Sequence, residues 1–271
     1  AFLEKGLLVE LDETGPAAGA GRKGRLLRFE PGAYRAVGVE CEGRFARVGL
    51  ADMAVGVQAR ETIELGDFAR TRDLSPLAAA IRRMCAAANG APVLGVCIGF
   101  PANLDPDAAA IVSYAAMDIQ QPTSFAQVFP AFWREVELPV YLENDANLAC
   151  EGEAFLRRGA GGAANMLYLS IGSGRGGAVR LDGKLRRGAR CRAGEVGAML
   201  LQPALGAPGR SAARETLEDA VCLAALERRF GAALRDGAQP GEASAQAMRD
   251  YLCGPLSGAV YSLVMTLDVE L

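Results

Sequence analysis

The chain has 271 residues, of which 51% are hydrophobic and 23% are charged, and its formal net charge is −3. This composition is that of a soluble protein with one or two domains, and the acidic balance argues against nucleic-acid binding by the chain as a whole. There is no histidine, and the seven cysteines include no Cys-x-x-Cys pair, so we expect no metal site. No apolar run approaches the roughly 20 residues that span a bilayer and no signal segment opens the chain, so we expect a cytoplasmic protein.

Residues 1–33 show the pattern of a helix end, a strand, a basic loop and a second strand. Gly6 is placed to end a helix, and Leu7–Leu11 and Leu26–Phe29 are expected strands. The loop between them carries three basic side chains, Arg22, Lys23 and Arg25. The C-terminal part of a winged-helix DNA-binding domain has this order, with the loop as a wing on the phosphate backbone and the recognition helix upstream of residue 1. A solvated hairpin with a few arginines is the alternative.

From Tyr34 onward, short strands and helices alternate as in α/β proteins. In the first half we expect three antiparallel strands, at Arg35–Val39, Ala46–Ala51 and Thr62–Leu65. A helix follows at Leu74–Ala88, and then a buried strand at Val93–Ile98 leads into a loop at Gly99–Asp105. In the second half we expect a helix at Phe125–Glu135, a strand at Val140–Glu143 and a helix at Ala146–Arg157. A hairpin of two strands, Met166–Ile171 and Gly177–Leu181, comes next. After Thr216 the chain is expected to be mainly helical.

Polar side chains follow the predicted strand at Val140–Glu143, at the edge of the sheet where α/β proteins usually bind ligands. Asn144 places an amide beside the carboxylate of Asp145, a pair that suits adjacent hydroxyl groups, and Asp145 is also a candidate general base. A helix N-cap is the structural alternative for both residues. Glu195 and Glu218 are two further candidate carboxylates, for which an exposed surface acid is the alternative.

The run Gly172-Ser-Gly-Arg-Gly-Gly177 is a candidate anion site, because glycines permit the positive φ angles that bring backbone N–H groups together. A tight hairpin turn is the alternative. The run is not a Walker loop, since no Gly-Lys-Ser/Thr follows it.

The order of these segments resembles the ROK family, whose name joins repressor, open reading frame and kinase. The resemblance covers roughly residues 34–271 and rests on Gly95-Val-Cys-Ile-Gly-Phe-Pro101, Glu143-Asn-Asp-Ala-Asn147, the glycine turn at 172–177, and Gly188 through Gly197. It implies an α/β protein with the two-lobed, actin-like and ribonuclease-H-like ATPase fold. We expect lobes at 34–140 and 141–271 after the winged-helix part at 1–33, with the second lobe truncated at its C-terminus.

The resemblance also implies which residues serve the site. By position, Asn144, Asp145, Glu195 and Glu218 match the family's sugar-contacting residues, and Asp145 matches its catalytic base. The family's kinases carry an Asp-x-Gly-Gly-Thr-Lys phosphate loop where this chain has Val39-Glu-Cys-Glu-Gly-Arg-Phe45. The sequence that this chain has at residues 39–45 disfavours the close approach of ATP phosphates on which phosphoryl transfer depends.

A second departure concerns the family's structural zinc, which uses a histidine after the Gly-Glu motif and three cysteines. Ala198 stands in place of that histidine, and Pro203–Thr216 contains no cysteine. We therefore expect neither zinc nor another cofactor.

These features predict a ROK-type transcriptional regulator, a repressor rather than an enzyme. It would bind operator DNA through Arg22, Lys23 and Arg25, hold a sugar effector between its lobes, and form a homodimer or higher homo-oligomer. An ATP-dependent sugar kinase that uses Asp145 as base is the alternative. The third possibility is a regulator that needs no ligand and keeps a vestigial site.

Overall fold

A computed structural model describes residues 1–14, 25–157, 164–171, 175–201, 215–231 and 241–270. The chain folds into two compact units, unit 1 (Ala1–Phe100 and Asp105–Glu143) and unit 2 (Pro101–Leu104 and Asn144–Leu271). The strands are β1 (Leu8–Thr14), β2 (Arg25–Phe29), β3 (Arg35–Glu42), β4 (Phe45–Asp52), β5 (Val57–Glu64), β6 (Val93–Phe100), β7 (Asn103–Asp105), β8 (Ala110–Ser113), β9 (Thr123–Ser124), β10 (Val140–Asn144), β11 (Met166–Ile171), β12 (Arg175–Leu181) and β13 (Lys184–Arg186). The α-helices are α1 (Phe68–Thr71), α2 (Ser75–Ala87), α3 (Phe125–Val128), α4 (Pro130–Glu135), α5 (Asp145–Leu156), α6 (Leu217–Val221), α7 (Leu223–Phe230) and α8 (Glu242–Leu267).

A five-stranded sheet in the order β10-β6-β3-β4-β5 forms the centre of unit 1. The predicted meander is confirmed, since β3 pairs antiparallel with β4 and β4 with β5, while β3 pairs parallel with β6. Side chains alternate between the two faces of a strand, and in β3 the residues Val37, Val39 and Cys41 are buried. Helix α2 packs on this sheet and buries Leu77 and Ile81.

An aromatic cluster fills unit 1 beside the sheet. Phe100 is fully buried, and its ring lies 5.4 to 5.8 Å, centroid to centroid, from four other rings. These rings belong to Phe68, Tyr114, Phe125 and Phe129.

The structure corrects the predicted loop over Gly99–Asp105, because strand β6 continues to Phe100 and β7 begins at Asn103.

The helix predicted over Phe125–Glu135 is divided into α3 and α4. Pro130 begins α4, and Phe129 before it has an extended φ of −125°. Proline has no N–H to donate and disfavours helical geometry in the preceding residue, which ends α3 at this point.

Unit 2 is built on an antiparallel sheet in the order β11-β12-β13, which confirms the predicted hairpin. Helix α5 covers this sheet, where Cys150 and Ala154 pack with Met166 and Ala178. The described residues beyond Thr216 are mainly helical as predicted, and α6 packs against α8. No helix in the part of the chain given above is long and apolar enough to cross a membrane.

The N-terminal segment of unit 1 consists of a turn and a hairpin. Gly6 has a φ of +70° and ends a turn where a helix end was expected, and β1 pairs antiparallel with β2, so the two predicted strands are confirmed. Arg22 and Lys23 lie outside the described residues, and Arg25 forms an exposed ion pair with Glu10. A winged-helix domain is not shown, since within residues 1–14 and 25–33 the structure has only this hairpin and short turns.

Candidate functional site

Asn144 joins the last position of β10 to the start of α5. Its Oδ1 accepts a hydrogen bond from the Asn147 N–H at 3.1 Å, so the cap foreseen as an alternative for this residue is present. Its Nδ2 donates to the carbonyl oxygen of Ala102 at 3.3 Å. The amide therefore fixes the segment Pro101–Leu104 against the first turn of α5, and both ends of the amide have a set orientation.

Asp145 is the first residue of α5 and is half-buried. Its Oδ1 accepts a hydrogen bond from the Ala146 N–H at 2.9 Å. The positive end of a helix dipole favours a carboxylate in the first turn. One oxygen of the Asp145 carboxylate is thus oriented by the backbone at the start of α5.

Glu195 lies beside two other acids of the predicted set. Although the residue is exposed overall, burial of its carboxyl group raises its pKa, and the carboxylates of Glu218 and Asp145 raise this pKa further, while Arg192 opposes them. Like charges at short range disfavour a second ionisation. The structure therefore brings Asp145, Glu195 and Glu218 into one electrostatic cluster, which we call the acid cluster.

Glu218 reaches the acid cluster because α6 is anchored beside the segment that follows Glu195. The N–H of Leu217 donates to the Met199 carbonyl at 2.8 Å, directly after the 3-10 helix Val196–Ala198. A capping box formed by Thr216 and Asp219 fixes the first turn of α6. The backbone that carries Glu218 is therefore fixed beside the segment that follows Glu195.

Two glycines of β12 allow the segments of the acid cluster to approach each other. A Cβ on Gly176 would lie 2.7 Å from the Cβ of Ala146, in the first turn of α5. A Cβ on Gly177 would lie 2.7 Å from the carbonyl oxygen of Gly194, next to Glu195. Sequence reasoning left this run open between an anion site and a tight hairpin turn, and it missed the packing role, although adjacent glycines within a strand signal close backbone approach. Residues 172–174 of the run lie outside the described part.

The turn between β3 and β4 replaces the phosphate loop of the family's kinases. Arg47 donates to Glu40 at 2.8 Å and to Glu42 at 3.0 Å, and Arg44 donates to Glu64 at 3.2 Å. All of these groups are exposed, so each pair contributes only about 0–1 kcal/mol. A ligand could displace these ion pairs at small cost, but the two glutamates repel phosphate groups.

The residues do not fit the zinc site of the family. Ala198 offers only a methyl group where the family has a histidine, and Pro203–Thr216 contains no cysteine. Within the described ranges, no group of three His, Cys, Asp or Glu side chains is arranged to hold a metal.

Sequence comparison identifies the family. The model of the ROK family matches residues 36–251. The chain belongs to the ROK family. A glucokinase of Halalkalibacterium halodurans is 34% identical over 141 residues, which cover 49% of this chain and 40% of the glucokinase. A xylose repressor of Caldicellulosiruptor bescii is 33% identical over 105 residues, which cover 39% of this chain and 25% of the repressor. This ROK chain thus spans less than half the length of these curated relatives.

Solved ROK structures confirm the mixed α/β fold. A ROK transcriptional regulator, homologous to the E. coli MLC protein, superposes with a TM-score of 0.73 at 18% identity and covers 99% of this chain and 72% of its own. A ROK glucokinase from Streptomyces griseus, solved with glucose and AMPPNP, superposes with a TM-score of 0.65 at 23% identity, covering 87% of this chain and 80% of its own. At these identities the likeness shows the fold alone.

These comparisons contradict the prediction that the chain is not an enzyme. That prediction depended on one seven-residue turn, whereas the similarity to a glucokinase extends over 141 residues. Regulators are also among the relatives, so the comparisons place kinases and regulators side by side.

Proposed function

We propose that this ROK protein binds a sugar through Asn144, Asp145, Glu195 and Glu218 and phosphorylates one of its hydroxyl groups with ATP. The observation that carries the proposal is the acid cluster, whose segments are brought together by the close approach of Gly176 to Ala146 beside Asp145 and of Gly177 to Gly194 beside Glu195. Carboxylates and an oriented amide are the groups that bind adjacent hydroxyls. The sequence similarity to a glucokinase supports the same assignment.

In the proposed reaction, Asp145 accepts the proton of the sugar hydroxyl while the oxygen of that hydroxyl attacks the γ-phosphorus of ATP. The new O–P bond forms while the bond to the β,γ-bridging oxygen breaks, and ADP leaves. The first turn of α5 holds Asp145 in place for this role, with the Ala146 N–H on its Oδ1. Burial of its carboxyl group and the neighbouring acids raise the pKa of Glu195, and its proposed role is a hydrogen bond to the sugar.

We expect the wild-type protein to release ADP from ATP in the presence of a sugar, in a coupled assay with glucose, mannose and β-glucosides. Asp145→Asn removes the base while keeping the shape of the side chain, so kcat should fall by about 10²–10⁴-fold with little change in KM. Asp182→Asn is the matched control, because Asp182 is an exposed acid of unit 2 that pairs with Arg186. Absence of sugar-dependent ADP release in the wild type, or full activity of Asp145→Asn, would overturn the proposal.

The second candidate function is a sugar-responsive transcriptional regulator. It is favoured by the superposition with a ROK regulator, which extends over 99% of this chain and hence includes nearly all of the N-terminal hairpin. The glutamates at the turn between β3 and β4 are unfavourable to ATP phosphates and point the same way. The basic loop with Arg22, Lys23 and Arg25 would then contact DNA phosphates.

A regulator is expected to bind mixed-sequence duplex DNA with an affinity that falls steeply with salt. Each lost phosphate contact lowers the slope of log K against log salt by about 0.9, so neutralising three contacts should lower it by about 2–3. The change to test is the triple substitution Arg22→Gln, Lys23→Gln, Arg25→Gln, measured by fluorescence anisotropy.

The control replaces three basic residues on or next to β13, Lys184, Arg186 and Arg187, with glutamine, which removes the same net charge from unit 2. Equal salt slopes for the two triple variants, or no DNA binding by the wild type, would contradict the regulator function.

A further inference from the structure

A cleft with a volume of about 510 Å³ lies within unit 1 and takes no part in the proposed function. It is formed by the end of α1, the segment between β8 and β9, and α3. Its floor is apolar, since Met117, Ile119 and Val128 line it and each is less than 10% exposed. A cleft of this size, with an apolar floor, suits a small organic ligand rather than a lone ion.

The rim of the cleft is polar and largely held in place by the fold. Asp118 accepts a hydrogen bond from the Gln120 side chain at 3.0 Å, and the Thr123 hydroxyl donates to the Gln121 carbonyl at 2.9 Å. Backbone bonds between Tyr114 and Ile119, at 2.9 and 3.1 Å, close the turn that carries Asp118. The polar groups of the rim are thus pre-positioned, which lowers the entropic cost of binding.

Arg72 supplies a positive charge at the rim. Among the described residues it has no ion-pair partner, whereas the nearby Arg70 is paired with Asp67 at 3.2 Å. Arg72 also caps α1 in the left-handed conformation, with a φ of +56°. A guanidinium offers a planar, bidentate contact to a carboxylate or a phosphate.

The charges of the rim indicate which chemical groups a ligand of the cleft should carry. Asp118 would repel a bare anion, but its carboxylate accepts hydrogen bonds from hydroxyl groups. We propose that the cleft binds an anionic sugar derivative, with the anionic group on Arg72, hydroxyl groups on Asp118, Gln120 and Thr123, and the C–H face of the sugar on the apolar floor.

Calorimetry with four probes tests this proposal on the full chain. Glucuronate and glucose 6-phosphate supply the anion as a carboxylate or as a phosphate, while glucose and inorganic phosphate each lack one half of the proposed ligand. The binding of at least one anionic sugar should depend on Arg72, whereas the binding of glucose, which the acid cluster is proposed to hold, and of inorganic phosphate should not. Arg72→Gly should weaken the binding of that anionic sugar at least tenfold.

Arg72→Gly is chosen because glycine accepts a φ of +56° without strain, so the variant is expected to remain folded. Arg70→Ala, which removes a neighbouring arginine that does not line the cleft, should leave binding unchanged. Arg72→Gly should leave glucose binding and sugar-dependent ADP release unchanged, which separates the cleft from the acid cluster even when the sugar kinase proposal fails. The cleft proposal is overturned when no anionic sugar binds, when Arg72→Gly binds the anionic sugars like the wild type, or when Arg72→Gly weakens glucose binding to the same extent.

Discussion

Replacing Gly194 with alanine is expected to destabilise unit 2 by about 3 kcal/mol and to abolish sugar binding at the acid cluster. The new Cβ would lie 2.2 Å from the carbonyl oxygen of Gly177 and 2.7 Å from its carbonyl carbon. These are backbone atoms of β12, which is paired with β11 on one side and β13 on the other, so they cannot move aside. The φ of +93° at Gly194 adds backbone strain to the clash.

Urea unfolding followed by far-UV circular dichroism gives the loss of stability, and calorimetry with the sugar that binds the wild type gives the loss of binding. Gly231→Ala is the matched control in the same unit, because Gly231 has a φ of +63° but a Cβ there would meet nothing within 4 Å. The control should cost only about 1 kcal/mol, the strain of a left-handed non-glycine residue. Equal costs for the two variants would refute the role of Gly194 in close packing.

The local elements could be predicted from sequence because their signals are local. The alternation of apolar residues in β3 and the helical spacing of Leu77 and Ile81 each reflect contacts with one neighbouring layer. Asn144 and Asp145 could be selected for the same reason, since they are adjacent in the chain and end a strand. The break between α3 and α4 was also visible in Pro130, although the apolar spacing across it favoured one continuous helix.

The assembly of the site could not be predicted in this way. Glu195 and Glu218 come together with Asp145 through backbone contacts between segments that are far apart in the chain, and a resemblance alone proposed that they meet. The packing of Gly177 against Gly194 has no periodic signal, because it depends on the path of two segments in three dimensions. The hairpin reading of the glycine run agrees with the pairing of β11 and β12, but the close packing of its glycines was not foreseen.

Replacing Phe100 with alanine is expected to destabilise unit 1 by about 3–5 kcal/mol, the usual cost of removing a fully buried ring. The ring is 0% exposed and contacts four other aromatic rings, so its removal leaves a cavity that residues from three separate segments would have to fill. Because β6 continues to this residue, rigid strand backbone on one side restricts any collapse of the cavity.

Trp133, the single tryptophan of the chain, lies in α4 of unit 1 with its ring 6.3 Å from that of Phe125, and its fluorescence during urea unfolding therefore reports on this cluster. Phe45→Ala is the matched control, since that ring is 51% exposed and its loss should change stability by about 0.5 kcal/mol or less. A shift of the Trp133 midpoint no larger for Phe100→Ala than for Phe45→Ala would show that the aromatic cluster does not hold unit 1 together. A much larger shift would show that the stability of unit 1 depends on contacts between separate segments. The alternation of apolar residues along a single strand does not predict such contacts.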